Sequence, residues 1–410
     1  MLYFKNSELT KTYKVALNTV LNWIKAAQNG KLDIELVKKG ERFFIANTAR
    51  NINALNDLAI SRKKYRNSRT ARRVVPHDHF YEVYSESEIL DIVATLDARR
   101  EVPRAYNYFD DGAHYWDKYA HELEAQDTPN IMNRTRSLLD ANQGYIDTLI
   151  KPFHRVNVID IGVGNALPVR SFLGNLLSSG KLGRYLALDI SPGMLEIAEQ
   201  NIKSWFDDKI NFEGHKIDIT HERFGNFLAN EYLNNQSEST INLILFLGGT
   251  LGNLRAPADT LAVIANSMGR ADMLLMSQKL DSTRTRHYFD FNTSPNNPSL
   301  APIHRFVFDM LNIDESLYRV EMGFHPEHHA RYIRVHLIVS LQIEFRLADG
   351  IRLISLEKGD SILLWYFWQQ TLPEVSDQLI KGGFYPIHLS QSPDKEYLLS
   401  IARLDSSLTF

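Results

Sequence analysis

The chain has 410 residues, of which 44% are hydrophobic and 23% charged, with a formal net charge of −3, giving room for two to three folded units with ample cores. It contains no cysteine, which excludes disulfides, zinc fingers, thiolate metal sites and a cysteine nucleophile. Met1-Leu-Tyr-Phe-Lys-Asn-Ser-Glu8 carries no apolar signal segment and no apolar run nears the length of a bilayer span, so the expectation is a cytoplasmic protein.

Charge is distributed unevenly. Residues 1–76 hold 16 Lys and Arg against 5 Asp and Glu, a net +11 that leaves −14 for the rest of a chain whose total is −3. Within this basic head, Ser7 to Val15 reads as a short helix and Ala16 to Gly30 as a second, stopped at Gly30. Leu32 to Ile45 alternates as a hairpin with a basic turn at Lys38-Lys-Gly-Glu-Arg42. Two helices followed by a wing resemble the winged helix-turn-helix of excisionase and MerR-type proteins over about the first 60 residues. The resemblance implies a DNA-binding helix presenting Asn18, Thr19, Asn22 and Lys25 to the major groove, with Lys38, Lys39 and Arg42 meeting phosphates from the wing. A further helix runs into Arg62-Lys-Lys-Tyr-Arg66-Asn-Ser-Arg69-Thr-Ala-Arg72-Arg73, seven basic side chains without an acid. This segment, 61–76, reads as a basic linker that adds salt-dependent contact with nucleic acid. A protein-binding role for the head is the competing reading.

From residue 77 onward the expectation is one α/β domain. Val156 to Ile161 is a buried apolar strand that runs into Gly162-Val-Gly164, where glycine lets backbone approach a ligand. Asp160 lies in the same motif. Tyr185-Leu-Ala-Leu-Asp189 is a second strand ending in the acid that accepts both ribose hydroxyls in a nucleotide-binding fold and forbids a 2′-phosphate. Ser191 is a good helix cap with Pro192 at the first helical position, which places Met194 to lie against an adenine. A third strand, 211–217, delivers Asp218-Ile219, with Asp218 suited to the adenine amino group. A dinucleotide fold would want G-x-G-x-x-G, but Asn165, Ala166 and Leu167 follow Gly164. The array therefore points to S-adenosylmethionine and a Rossmann-like class I methyltransferase.

A fourth strand, Ile241 to Leu247, opens into Gly248-Gly-Thr-Leu-Gly-Asn253-Leu. Together with Tyr108-Phe-Asp-Asp-Gly112 and Asn133-Arg-Thr-Arg136, this segment resembles the histidine N-alpha-methyltransferase family of ergothioneine biosynthesis, over roughly residues 100–405. The resemblance implies a substrate subdomain of about 77–139 and 282–354, α+β in character, set against a Rossmann core of about 140–281 and 355–405. The candidate insertion contains Phe291-Asn292, His304 to Phe308, and a strand pair at Tyr332–Ile338 and Leu341–Leu347. Gly248 is assigned to the cofactor by the same resemblance, and Asn253 keeps the place of the residue that contacts the substrate imidazole.

Departures from the family accompany these matches. Phe109 stands where the family has tyrosine, Asn130 replaces a second tyrosine, and Leu364-Trp-Tyr-Phe-Trp-Gln369 replaces the strand whose Glu and Ser hold the substrate amine. Free histidine is accordingly not the expected acceptor. Tyr108, Phe109, Asn253, Trp365 and Phe367 are the candidate acceptor residues. Alternation along the strand lets either Trp365 with Phe367, or Tyr366 with Trp368, face the pocket, unless the run is simply core. An aromatic wall would suit a larger aromatic or a methylated, cationic amine. No acid/base dyad stands out, in keeping with an already activated sulfonium donor, so no catalytic residue is assigned.

His325, His328, His329 and His336 lie on a turn and strand without a carboxylate at helical spacing except Glu327, and no metal site is expected. Three functional classes stay open: a small-molecule N-methyltransferase with a DNA-binding head, a DNA-binding regulator whose body senses S-adenosylmethionine or another metabolite, and a nucleic-acid methyltransferase. The last lacks an Asn/Asp-Pro-Pro-aromatic segment for a flipped base. A homodimer, common among helix-turn-helix proteins, is left open.

Overall fold

A computed structural model of the chain describes residues 2–229, 239–287 and 299–405, and at 60–70 the backbone only. The candidate pair Phe291-Asn292 lies outside the described residues. The fold divides into two compact units: Met1–Arg73 with Val339–Glu344 and Leu353–Gly359, and Val74–Ile338 with Phe345–Arg352 and Asp360–Phe410. No helix among the described residues is long and apolar enough to cross a membrane.

In the first unit, helices α1 (Asn6–Thr12) and α2 (Leu17–Gln28) precede a hairpin of β1 (Leu36–Lys39) and β2 (Arg42–Ile45), and α3 (Ala49–Thr70) follows. Their apolar faces converge on Leu9, Val20, Trp23, Ile24, Ile34, Ile45 and Leu55. Asn51 fastens the start of α3 to the hairpin: its Oδ1 accepts from Glu35 N, and its Nδ2 donates to the Glu35 and Ala46 carbonyls, each at 2.9 Å. Thr19 is only 4% exposed, because its position on α2 falls on the stripe shared with Val20 and Trp23. It belongs to this core and is withdrawn as a DNA-contact residue, whereas Asn18, Asn22, Lys25, Lys38, Lys39 and Arg42 are exposed. Residues 61–70 are not a linker. They continue α3, a run free of Gly and Pro and rich in good helix formers, and Arg72–Val74 forms β3.

In the second unit, α4 (Phe80–Val83), α5 (Glu86–Arg99), α6 (Asp111–Glu124) and α7 (Ile131–Ile150) lead into the central sheet. Its strands are β4 (Arg155–Ile161), β5 (Leu182–Asp189), β6 (Phe212–Lys216), β7 (Thr240–Phe246) and β8 (Met273–Lys279), between which lie α8 (Arg170–Ser178) and α9 (Pro192–Phe206). Five further strands follow in the chain, β9 (Tyr318–His325), β10 (Ala330–Leu337), β11 (Leu341–Leu347), β12 (Gly350–Leu356) and β13 (Ser361–Trp368), of which Leu341–Glu344 and Leu353–Leu356 are assigned to the first unit, before β14 (Phe384–Gln391) and β15 (Tyr397–Leu404) complete the central sheet. The seven strands run in the order β14-β15-β8-β7-β4-β5-β6. All neighbours from β8 to β6 are parallel, and β15 is antiparallel to β8 and β14. β4 and β7 are buried almost throughout, as strands covered by helices on both faces must be. The architecture is the Rossmann-like class I methyltransferase α/β fold.

Two expectations are corrected here. The strands near 332–338 and 341–347 do not pair with each other. β10 lies between β9 and β13, whereas β11 lies between β12 and β3, because Val339 and Ser340 carry the chain out of one sheet into another. β13 also falls within the expected Rossmann core, yet it pairs antiparallel with β10 from Ala330↔Trp368 to His336↔Ser361, so the late core begins after it.

Candidate active site

The order of the central sheet reverses between β4 and β7, and a cleft of about 600 Å³ opens beside the carboxyl ends of β4, β5 and β7, the place where α/β sheets bind ligands. All of its lining belongs to the second unit.

One end is built by the strand termini. Gly162 and Gly164 follow β4 with φ of 64° and 55°. A Cβ on Gly162 would meet the Thr250 side chain at 3.0 Å, besides adopting a backbone conformation that L side chains rarely take. Asp189 ends β5. Its Oδ1 accepts from Ser191 N at 3.0 Å and its Oδ2 from Gly164 N at 3.4 Å, which ties the glycine turn to the start of α9. Burial pushes its carboxyl up to about 6, against the pull of these backbone donors. Asp160 is buried more deeply and is raised to about 8 by desolvation, although the Tyr185 hydroxyl donates to it. Ser191 caps α9 by accepting from Met194 N at 3.2 Å, with Pro192 in the first turn. Met194, Asp218, Ile219 and Gly248 border the same cavity. Asp218 Oδ1 already accepts from the Thr220 amide and hydroxyl, at 2.9 and 2.6 Å. Gly248 N donates to Ser277 Oγ, which contacts Thr135 Oγ1 at 2.9 Å. Thr135 of the Asn133-Arg-Thr-Arg136 segment thus braces the loop after β7.

The other end is aromatic. Tyr108, Asn253, Trp365 and Phe367 all line it. Trp365 and Phe367 stack at 6.0 Å, and Trp365 Nε1 donates to Asn253 Oδ1 at 3.2 Å. Tyr366 also borders the cleft, but its hydroxyl and the Trp368 indole both donate to the Leu254 carbonyl. That pins β13 to the loop after β7. Gly252 lies so close to this strand that a Cβ would stand 2.7 Å from the Phe367 ring.

Two sequence-level assignments do not hold. Phe109 is 5% exposed and packs against Tyr84 and Tyr106, with ring centroids 5.6 and 5.7 Å away; it is outside the cleft lining, because its extended backbone turns the ring opposite to Tyr108. Asn130 is fully buried as the cap of α7, where it accepts from Asn133 N and donates to the Leu123 carbonyl. These two departures therefore fall outside the cavity, and of the three only the aromatic strand lines it.

Other residues of the cavity carried no sequence signal. Arg104, Trp116 and Arg331 line it, yet they come from a 3-10 turn, from α6 and from β10, which share no motif. His304 is buried near Trp365, at 5.5 Å between rings, and burial beside the Arg104 charge holds it well below the usual histidine range and so neutral. Elsewhere, His325, Glu327 and His328 bring potential ligand atoms within 4.8 Å of one another. His329 is instead hydrogen-bonded to Glu374, and His336 to Glu321.

Residues 88–404 match the family described as histidine-specific methyltransferase, SAM-dependent. No curated protein sequence matches the chain. A solved S-adenosylmethionine-dependent methyltransferase from Clostridium acetobutylicum is 11% identical, covers 71% of this chain and 99% of its own, and has a TM-score of 0.41. The 1,6-didemethyltoxoflavin-N1-methyltransferase of Burkholderia thailandensis is 13% identical over 81% of this chain and 94% of its own, with a TM-score of 0.36.

Proposed function

From its membership of the histidine-specific, S-adenosylmethionine-dependent methyltransferase family, to which this chain belongs, we propose that the enzyme methylates a nitrogen of an amine or imidazole in a small molecule other than free histidine, and that its basic head binds duplex DNA. One observation carries the first part: a single cleft is lined by Gly162, Gly164 and Asp189 at one end and by Tyr108, Asn253, Trp365 and Phe367 at the other.

The donor set fits the cofactor. A half-buried carboxylate ends β5, glycine backbone at positive φ follows β4, and the room beside Gly162 is filled by any added Cβ. Asp189 would hold the ribose hydroxyls, Met194 and Ile219 would flank the adenine with Asp218 at its edge, and Asp160, Gly162, Gly164 and Gly248 would surround the methionine portion. When bound, S-adenosylmethionine supplies an activated methyl group on a sulfonium. The chain's own residues have then to desolvate and align the acceptor nitrogen. Asn253, held through Trp365, and Tyr108, held through Arg104, orient it. Mass spectrometry of reactions with a panel of amines and imidazoles tests this reading, and efficient conversion of free histidine to its trimethylated betaine would overturn the exclusion of histidine.

The head supports the second part. Asn18, Asn22 and Lys25 on α2, with Lys38, Lys39 and Arg42 on the hairpin, are exposed, as a recognition helix and wing require. The same features suit a regulator whose body senses S-adenosylmethionine, and measured turnover separates the two.

A further inference from the structure

The aromatic end of the cleft contains an arginine, Arg104, that is engaged by no carboxylate among the described residues. Arg104 starts the 3-10 turn Arg104–Tyr108. Its guanidinium carbon lies 5.0 Å from the Trp116 ring, 5.4 Å from Trp365 and 5.7 Å from Tyr108. Nε donates to the Tyr108 hydroxyl at 3.0 Å. Because that oxygen accepts, its own proton is left to donate. Arg104 Nη1 and Trp116 Nε1 are both shielded from solvent and meet no partner among the described residues. The cluster therefore offers donors only. Arg331, 2% exposed, lies 6.0 Å from the Trp365 ring on the same wall. Glu101, an acid of the same lining, is already paired with Arg255.

A guanidinium withdrawn from water and left uncompensated is costly, and burial lowers the Arg104 pKa for that reason. Its fork matches a planar carboxylate, accepted through charge-assisted hydrogen bonds. A cationic amine is ill suited to the same place. The ring faces that would attract it already meet the guanidinium, and like charges repel. We propose, resting on the methyltransferase reading, that the methyl acceptor carries a carboxylate, received by Arg104 with the indole N–H of Trp116 and the hydroxyl of Tyr108. The aromatic cleft is then a site for an anionic, not a quaternary ammonium, molecule.

The test uses the full chain saturated with S-adenosylhomocysteine and three probes of similar size: indole-3-acetate, its neutral isostere indole-3-acetamide, and benzyltrimethylammonium. Calorimetry should give the acid an affinity roughly tenfold or more above the amide, with the ammonium weakest. Arg104→Met should abolish the preference for acid over amide, and Arg104→Lys should restore part of it. Equal binding of acid and amide, tighter binding of the ammonium, or no binding of the acid each overturns the proposal. Should Arg104→Met fail to fold, the three probes on the unaltered protein decide. Failure of S-adenosylhomocysteine itself to bind would instead sink the methyltransferase reading, whereas its binding without an acid preference sinks only the carboxylate.

Discussion

The Tyr185 hydroxyl donates to Asp160 Oδ2 at 2.9 Å inside the sheet, joining β5 to the end of β4 beside the cleft. Burial outweighs this hydrogen bond and raises the Asp160 carboxyl to about 8 from an ordinary 3.8. A carboxyl whose folded pKa is raised favours the fold fully below its unfolded value, and that stability is lost as pH rises towards the folded value. Ligand-free protein should thus lose stability at this site between about pH 4 and pH 8. Asp160→Asn keeps an acceptor for Tyr185 but cannot ionise. Its Tm should exceed that of the parent at pH 8, with the gap closing towards pH 4; a gap independent of pH would refute the assignment.

Asp189 gives a second pH dependence, with its carboxyl raised to about 6. Ribose hydroxyls are accepted by the ionised form, so affinity for S-adenosylmethionine should decline below about pH 6, approaching roughly tenfold per unit. Asp189→Ala should weaken binding by about 2–3 kcal/mol at neutral pH. Unchanged affinity in calorimetry would remove Asp189 from the cofactor site.

Glycine at 162 and 252 separates the two ends of the cleft. Gly162→Val adds bulk against Thr250 at a positive φ and should abolish cofactor binding. Gly252→Ala pushes on Phe367, at a cost of about 1–3 kcal/mol, and should lower turnover with any accepted amine while cofactor affinity holds. Loss of cofactor affinity in Gly252→Ala would show that the ends are not separable.

Duplex DNA should bind the full chain, with affinity falling steeply as salt is added because neutralised phosphates release counterions. Replacing Lys38, Lys39 and Arg42 by Ala should reduce the salt slope by roughly one for each phosphate that is no longer neutralised. No binding by fluorescence anisotropy at about 50 mM salt would assign the basic surface to another partner.

Free histidine is expected not to be trimethylated at an enzymatic rate. Trp365 and Phe367 occupy the cleft wall where the resemblance places amine-holding Glu and Ser, and each missing hydrogen bond costs roughly 1–3 kcal/mol. Mass spectrometry that finds the betaine forming at an ordinary rate would refute this.

The glycine-rich end of the cleft was legible in the sequence because the residues that build it are local to strand ends. Gly162, Gly164, Asp189, Ser191 and Met194 follow strand ends, and the strand pattern itself places them at one edge of the sheet. Alternation along β13 likewise limited the aromatic pairs, although only the tertiary contacts decided between them, with Trp365 bonded to Asn253 and both Tyr366 and Trp368 tied to the Leu254 carbonyl. Phe109 and Asn130 misled for the opposite reason. A position aligned with a functional residue says nothing of side-chain direction, and extended backbone at one and a helix cap at the other turn them into the interior. Thr19 shows the same limit, since residues on one helix turn divide between core and solvent according to what packs against it. Arg104 and Trp116 stand 12 residues apart, but His304 is far along the chain, and the three meet through ring contacts across a 3-10 turn and two helices. Strand periodicity and short-range turns are encoded by neighbouring residues, whereas the charge and shape of the acceptor end arise from side chains brought together by folding alone.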